Sequence, residues 1–439
     1  MENYLRCTLK TALGDDTPIA AEDYGYAARV EDIELPFELC EEIRRAKPTA
    51  FGVTPYFKKV VNDLKTAPNE TPAGFRVEFR LDCGNVLRAD LHRDIAYEKN
   101  NQRRPTKLLF SADSANPYDV EQVKDIISNL TCNPAIIYNL FLNDPKANVG
   151  GRFKDRDEVM REIGRILGPG CDISVELNDP FGASENQLLE EAARFKEIIG
   201  EHRIVIKVPH TGAVNKENVK ELMSGSGRFM RRYDEGEVKD YFRGHNLALM
   251  LHEHGYRTNF TLMFEPCQTA LALQARPAYI NSFIMFRQVQ SEKMRELVRE
   301  YEVGGKISAL EALRDYMVEN DYLSGAECDC RLDYALSLAR EILKYRGYDS
   351  PDADGLDGIR HNLRMLRNSQ LPDTRLIICN FQSKWCYPYV DRMLMEPEFA
   401  DMLDRVVITA PPAILGEYTT NAIVTQFHRR FMNAANGAR

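Results

Sequence analysis

Residues 203–211 read R-I-V-I-K-V-P-H-T. Ile204, Val205, Ile206 and Val208 make an apolar, β-branched run of the kind that forms a strand buried on both faces of a parallel sheet. Lys207 interrupts it. Burying an unpaired ammonium is costly, so this lysine must find a partner, give up its proton, or reach water along its own alkyl stem. An amine with a lowered pKa suits covalent catalysis through a Schiff base. Taken alone, the stretch favours the plainer reading of a lysine at a strand end that reaches solvent. Its neighbours in the sequence change that balance.

Outward from this run, the chain alternates strand and helix. Leu108–Asp113 reads as a strand, and Tyr118–Leu130 has helical spacing through Val120, Val123, Ile126 and Ile127. Thr131-Cys132-Asn133-Pro134 marks the next strand end. Glu158–Leu167 is helical and stops at Gly168-Pro169-Gly170. Asp172–Leu177 is a strand, and Ser184 with Gln187 opens a helix that runs to Ile199. Beyond 211 come a helix over His245–His254, a strand over Thr258–Phe264, a helix over Cys267–Ala275 and a strand over Tyr279–Phe286. A charged helical region covers about 288–346, and Arg375–Phe381 and Val406–Thr409 are the last strands.

Eight strands alternating with helices predict an α/β fold, a parallel (β/α)8 TIM barrel over 106–439, with additions at about 212–245 and, after the sixth strand, 288–332. An open doubly wound sheet is the competing topology. No G-x-G-x-x-G follows a strand, which argues against a dinucleotide. Residues 1–105 read as an N-terminal α+β extension. In it, F-R-V-E-F-R-L at 75–81 and V-L-R-A-D-L-H at 86–92 flank the turn residues Asp82-Cys83-Gly84-Asn85, as a hairpin would.

Composition narrows the classes of function. Lys and Arg total 57 and Asp and Glu 66, a net charge of −9 over 439 residues, which disfavours a nucleic-acid or anionic-membrane partner. No apolar run approaches the ~20 residues of a membrane helix, and M-E-N-Y-L-R-C is not a signal sequence, so a cytoplasmic protein is expected. The 10 cysteines are scattered, as reduced thiols would be. Cys328 with Cys330 and Cys379 with Cys386 lack the usual zinc spacing, so no metal is expected. Arg228, Arg231 and Arg232 read as a solvated loop. Acidic helical additions are compatible with a homo-oligomer.

Because side chains alternate along a strand, phase can be read directly. Ile204, Ile206 and Val208 share a face opposite Val205 and Lys207. Ile173, Val175 and Leu177 lie opposite Ser174 and Glu176. Phe260, Leu262 and Phe264 lie opposite Asn259 and Thr261, and Leu108, Phe110 and Ala112 opposite Ser111 and Asp113. The large apolar sets can pack outward on helices. The other sets then point inward, and Asp113, Glu176, Lys207, Asn259 and Thr261 converge near the carboxyl ends of the strands, where barrel active sites are built. Singly, each could be a capping or paired residue. Together they are poor filler for an interior that is normally apolar.

These residues also resemble the transaldolase family of class I aldolases. Ala112-Asp113-Ser114-Ala115 is similar to its first-strand motif, Thr131-Cys132-Asn133-Pro134-Ala135 to its Thr-Asn-Pro motif and Val175-Glu176 to its third-strand glutamate. Ile206-Lys207-Val208-Pro209 is similar to the strand with its Schiff-base lysine, Asn259-Phe260-Thr261-Leu262-Met263-Phe264 to its Asn-x-Thr strand, and Thr409–Leu415 to its last strand end. The similarity covers about 107–430. It implies a barrel enzyme without a cofactor, acting on a ketose or aldehyde in carbohydrate metabolism. Lys207 would form the imine, Asp113 would be the base for the C4 hydroxyl, and Glu176, through a water ordered with Thr261, would shuttle protons. Asn133 and Asn259 would hold donor hydroxyls. The lysine must be partly neutral to attack, which an apolar strand environment is expected to favour.

The departures from that family concern substrate. Glu265 stands where a serine is usual, and Asn281-Ser282-Phe283 replaces a Ser-Pro-Phe strand end. Arg287 would be the first phosphate-binding arginine, displaced by one, and Gln382 stands where the second is expected, with Lys384 as a substitute. Asn281, Arg287 and Gln382 therefore join the expected substrate-binding set. Because Glu265 would repel a phosphate, the substrate is expected not to be an ordinary sugar phosphate, or else its anion is held differently. Whether the enzyme is a transferase or a lyase is open. The rival reading is a non-catalytic barrel that binds a sugar or a protein partner.

Overall fold

The architecture was obtained as a computed structural model that describes residues 7–14, 16–224, 236–350, 353–379 and 386–437. An N-terminal sheet contains β1 (Ala50–Val53), β2 (Phe75–Leu81) and β3 (Val86–Arg93) in the order β1-β3-β2. β2 and β3 are antiparallel, from Phe75 opposite Arg93 to Leu81 opposite Leu87. The Asp82 carboxylate closes their turn by accepting from the Gly84 and Val86 amides at 2.9 and 3.0 Å. The parallel strand β1 was not foreseen. Leu9, Cys40, Phe57, Phe75 and Leu91 belong to one buried cluster within this extension.

Eight further strands close the barrel: β4 (Leu109–Asp113), β5 (Asn129–Cys132), β6 (Asp172–Glu176), β7 (Ile204–Pro209), β8 (Arg257–Thr261), β9 (Tyr279–Phe283), β10 (Arg375–Cys379) and β11 (Val406–Ala410). All neighbours are parallel, and β10 pairs with both β9 and β11. The α/β TIM-barrel expectation thus holds. The two phases of each strand go where alternation sends them. Ile173, Val175, Ile204, Ile206, Val208 and Phe260 join the shell between strands and helices. Leu109, Val205, Tyr279, Ile377 and Val407 form a separate cluster inside the barrel. Each fully buried Val, Leu or Ile in either layer contributes roughly 1.5–3 kcal/mol.

Several boundaries differ from the sequence reading. The helix expected over Tyr118–Leu130 stops at Val123, and Asn129–Leu130 lie in β5, because Ser111 and Ala112 of β4 pair with them and the closed sheet requires that strand. β8 ends at Thr261 rather than Phe264: Leu262 has φ +55° and is 39% exposed, so it turns off the sheet instead of packing outward. β9 ends at Phe283, where the helix Ile284–Gly304 begins. That helix, Ile307–Glu319 and Leu332–Tyr345 share a core of their own around Met294, Leu313, Met317 and Ala339, so the addition runs past 332. The cysteines are not all reduced: Cys7 and Cys40 form a disulfide, which ties the start of the extension to the helix Phe37–Ala46. Among the described residues no helix is long and apolar enough to cross a membrane.

The extension also closes the bottom of the barrel. Ile95 and Ala96, just beyond β3, pack into the interior cluster. Beside them, buried Asp172 accepts from Arg93 at 2.9 Å, from Arg257 at 2.7 Å and from Tyr279 at 2.5 Å. Buried Asp94 accepts from Arg375 at 2.6 Å, from Arg76 at 2.8 Å and from the Ala96 amide at 2.9 Å. Gly74 (φ +81°) makes room for this junction, since a Cβ there would collide with the Arg93 guanidinium and the Pro169 carbonyl.

Candidate active site

Lys207 sits on β7 with its side chain inside the barrel and only 4% exposed. It does not reach solvent, because Ile206 and Val208 hold the strand in the shell and leave it no path along the sheet. Its Nζ lies 3.3 Å from Glu176 Oε2 and donates at 3.3 Å to the Cys132 carbonyl. Register places Glu176 beside Lys207, and Lys207 beside Asn259, on three consecutive strands. Pro209 pairs with Thr261, so that hydroxyl lies one inward position above Asn259. Asn281 of β9 donates to Thr261 Oγ1 at 3.2 Å. Asp113 ends β4, close enough to Lys207 for each charge to act on the other.

The electrostatics differ from the expected apolar surroundings. Burial alone would push the Lys207 ammonium down, but the Glu176 and Asp113 carboxylates outweigh it and hold the pKa above the ordinary lysine range. The amine is therefore kept charged in the unliganded site. Asp113 moves the other way for a carboxyl: burial and the Glu176 charge raise it, and Lys207 only partly compensates. Two acids and one amine in a low-dielectric interior disfavour the state in which all are ionised. Burial thus favours the neutral form of Asp113, while the carboxylates favour the charged form of Lys207.

Around this triad lie buried polar atoms that find no partner among the described residues. They are Thr131 Oγ1, both amide atoms of Asn259, Asn281 Oδ1 and Thr409 Oγ1, on residues no more than 3% exposed. Leaving such groups unpaired costs about 1–3 kcal/mol each. Their side chains share the inward phase with Lys207, and a hydroxyl-rich ligand would satisfy them. One layer below, Asn129 donates to Ser111 Oγ at 3.0 Å and accepts from Ser174 Oγ at 3.3 Å, a satisfied ladder that carries no spare capacity. The left-handed backbone of Leu262, directly after Thr261, puts strain beside the same group, as functional sites often do.

Of the residues singled out from the sequence, Asp113, Glu176, Lys207, Asn259, Thr261 and Asn281 come together. Asn133 lies beside them at the end of β5, but its Oδ1 caps the following turn by accepting from the Ile136 amide at 2.9 Å, which leaves its amide nitrogen and one oxygen lone pair for a ligand. Arg287 is drawn elsewhere. It is buried, with Nε 3.1 Å from Glu265 and Nη1 2.5 Å from Asp357, while Arg346 takes the other Glu265 oxygen at 2.7 Å. Glu265, which was expected to repel a substrate phosphate, thus pairs with Arg287. Gln382 and Lys384 lie outside the described residues, as do Arg228, Arg231 and Arg232. Thr131 and Thr409 were missed, although extending the phase argument to β5 and β11 selects both.

The chain resembles known proteins over this same region. Residues 110–295 match the family model described as transaldolase/fructose-6-phosphate aldolase. A protein named "Probable transaldolase" from Clostridioides difficile (strain 630) is 25% identical over 208 residues, spanning 47% of this chain and 73% of that protein. The matched stretch runs from β4 through β9 and contains Asp113, Glu176, Lys207, Asn259 and Thr261. It leaves out the extension, the greater part of the helical addition, and β10 and β11. Over residues 110–295 the chain is therefore similar to the transaldolase/fructose-6-phosphate aldolase family.

Proposed function

We propose that this barrel is an aldolase or transaldolase that cleaves or forms a ketose C3–C4 bond through a Schiff base on Lys207. The observation that carries the reading is the enclosed Lys207–Glu176 contact with Asp113 close by: a nucleophile with two proton carriers buried in the barrel. Lys207 first passes a proton to Glu176. The free amine then attacks the ketose carbonyl, and loss of one water from the carbinolamine gives the iminium. Its positive charge replaces that of the ammonium, so the carboxylates that held the lysine charged also stabilise the iminium.

Asp113, as carboxylate, takes the proton of the C4 hydroxyl. The C3–C4 bonding pair moves into the iminium, which leaves an enamine on Lys207 and frees an aldehyde. A carboxyl with a raised pKa suits this exchange in both directions, because it is a better base when ionised and is more often an acid at neutral pH. Thr131, Asn259, Asn281 and Thr409 bring neutral donors and acceptors to the substrate hydroxyls. The one buried arginine named for phosphate, Arg287, is already neutralised by Glu265 and Asp357, which favours an unphosphorylated substrate.

Borohydride trapping with a panel of free and phosphorylated ketoses, followed by peptide mass spectrometry, tests the reading. A reduced adduct on Lys207, absent in Lys207→Met, is the expected result. No adduct with any ketose would favour a barrel that binds sugar or protein without catalysis.

A further inference from the structure

At the ends of β8 and β9 lies a pocket of about 340 Å³ with a different chemistry. Its walls are Phe264, Phe283, Met285 and Val289. Phe264 follows Thr261 by three residues and Phe283 follows Asn281 by two, so the pocket opens from the β8–β9 rim of the barrel. The rim is held together there, since the Phe283 amide donates to the Met263 carbonyl at 3.0 Å. Phe283 also packs against the interior cluster that contains Cys379, whose thiol feels the charges of Asp113 and Lys207. Phe283 thus borders both the pocket and the interior cluster.

The far side of the pocket comes from the helical addition, and the two side-chain amides there are hydrogen-bonded. Gln290 donates to Asn320 Oδ1 at 3.2 Å and accepts from the Tyr322 hydroxyl, while Asn320 donates to the Tyr316 carbonyl at 2.9 Å. Among the described residues no charged side chain lines the pocket. The nearby cations are spoken for, Arg287 and Arg346 by Glu265 and Asp357. A phosphate or carboxylate placed here would lose its hydration and gain no counter-charge, whereas an alkyl or aryl group would gain contact with aromatic walls.

We propose that this pocket is the subsite for an uncharged apolar substituent, alkyl or aryl, on the aldehyde that reacts at Lys207. This assignment rests on Lys207 acting as set out above. In the addition direction, the iminium of a small ketone loses an α-proton to a carboxylate and becomes an enamine. The enamine π pair forms the new C–C bond to the aldehyde carbon, and the carbonyl π pair moves to oxygen, which takes a proton from Asp113. One water then hydrolyses the iminium, releasing the ketone product and the protonated amine. The aldehyde substituent lies in the apolar pocket while its carbonyl faces Lys207.

Two measurements on the full chain test this. Saturation-transfer NMR with 2-phenylethanol, which cannot react with Lys207, reads the pocket directly. Binding is expected in the wild type, with affinity at least roughly tenfold weaker in Val289→Asp. Val289 is 48% exposed, so the substituted chain can fold; Phe283→Ala provides a second variant. Steady-state turnover with hydroxyacetone as donor compares phenylacetaldehyde with glyceraldehyde 3-phosphate. A kcat/KM preference for phenylacetaldehyde of roughly tenfold or more, lost in both variants, is expected. Absence of 2-phenylethanol binding, equal binding by Val289→Asp, or preference for the phosphorylated aldehyde overturns the assignment. A borohydride adduct on Lys207 without aryl binding rejects the pocket alone, and aryl binding without an adduct rejects the Schiff base alone.

Discussion

Asp94→Ala is expected to cost the whole barrel stability, although Asp94 lies in the extension and outside the family match. Asp94 is 4% exposed and Arg375, at the start of β10, is 9% exposed, with 2.6 Å between them. Removing the carboxylate leaves a buried guanidinium whose remaining bond is to the Asp404 carbonyl at 3.2 Å. Breaking a buried pair in this way costs about 3–5 kcal/mol. Loss of the partly exposed Arg76 contact adds at most about 1 kcal/mol. Against a total stability of about 5–15 kcal/mol, this is a large fraction.

Urea unfolding followed by far-UV circular dichroism reads the loss as a shift in midpoint at constant slope. Asp94→Asn keeps the shape but not the charge and should lose at least half as much. Removing both charges, with Asp94→Leu and Arg375→Met, should recover much of the loss, since apolar replacements of buried pairs are often near neutral. Arg364→Ala, which breaks an exposed pair with Glu398, is the control and should cost less than about 1 kcal/mol. Burial raises the Asp94 carboxyl, but Arg375 and Arg76 outweigh this and hold it below the ordinary range. Its contribution is therefore complete at neutral pH and is lost as the carboxylate takes a proton in acid. If Asp94→Ala and Asp94→Asn both stay within 1 kcal/mol of wild type, the extension does not anchor the barrel floor and the reasoning fails.

Three further outcomes are expected. Glu176→Gln removes the charge that most raises Lys207, so covalent labelling of Lys207 should begin at lower pH, while carbinolamine turnover slows; an unshifted labelling profile would show that another group sets the amine. His210 is held neutral by burial and by His245, with its pKa pushed down to about 4, so it opposes acid: stability present above the unfolded histidine range near 6.5 should fall as pH drops towards 4, on the order of 1–3 kcal/mol, and His210→Leu should flatten that limb in pH-dependent urea midpoints. Arg287→Ala should lower stability by about 1–3 kcal/mol, since Asp357 loses this cation while Glu265 keeps Arg346, with no selective rise in KM for phosphorylated ketoses; such a selective rise would return Arg287 to the substrate.

The strand phases carried the catalytic half of the site. Alternation told which side of the sheet Glu176, Lys207, Asn259 and Thr261 would take, because in a closed barrel with helices outside the two faces of a strand are two different solvents. The same rule would have reached Thr131 and Thr409, which belong to strands with short or ambiguous apolar runs. For Asn129–Leu130, helical spacing in the preceding residues masked a strand that only the pairing with β4 enforces.

Phase says where a side chain points and nothing of what it meets there. From the sequence alone come the barrel, the lysine as its odd member, and the ring of polar residues above it. The charge state of Lys207 was decided by its 3.3 Å contact with Glu176, which replaced the apolar surroundings expected of its strand. The fate of Arg287 was decided by Asp357, 70 positions away, and by Glu265. The floor of the barrel was decided by Arg93 and Asp94, which belong to another sheet. Secondary structure follows from local periodicity, but an ion's partner is chosen by proximity after the chain has closed on itself, and at these three places that choice set the chemistry.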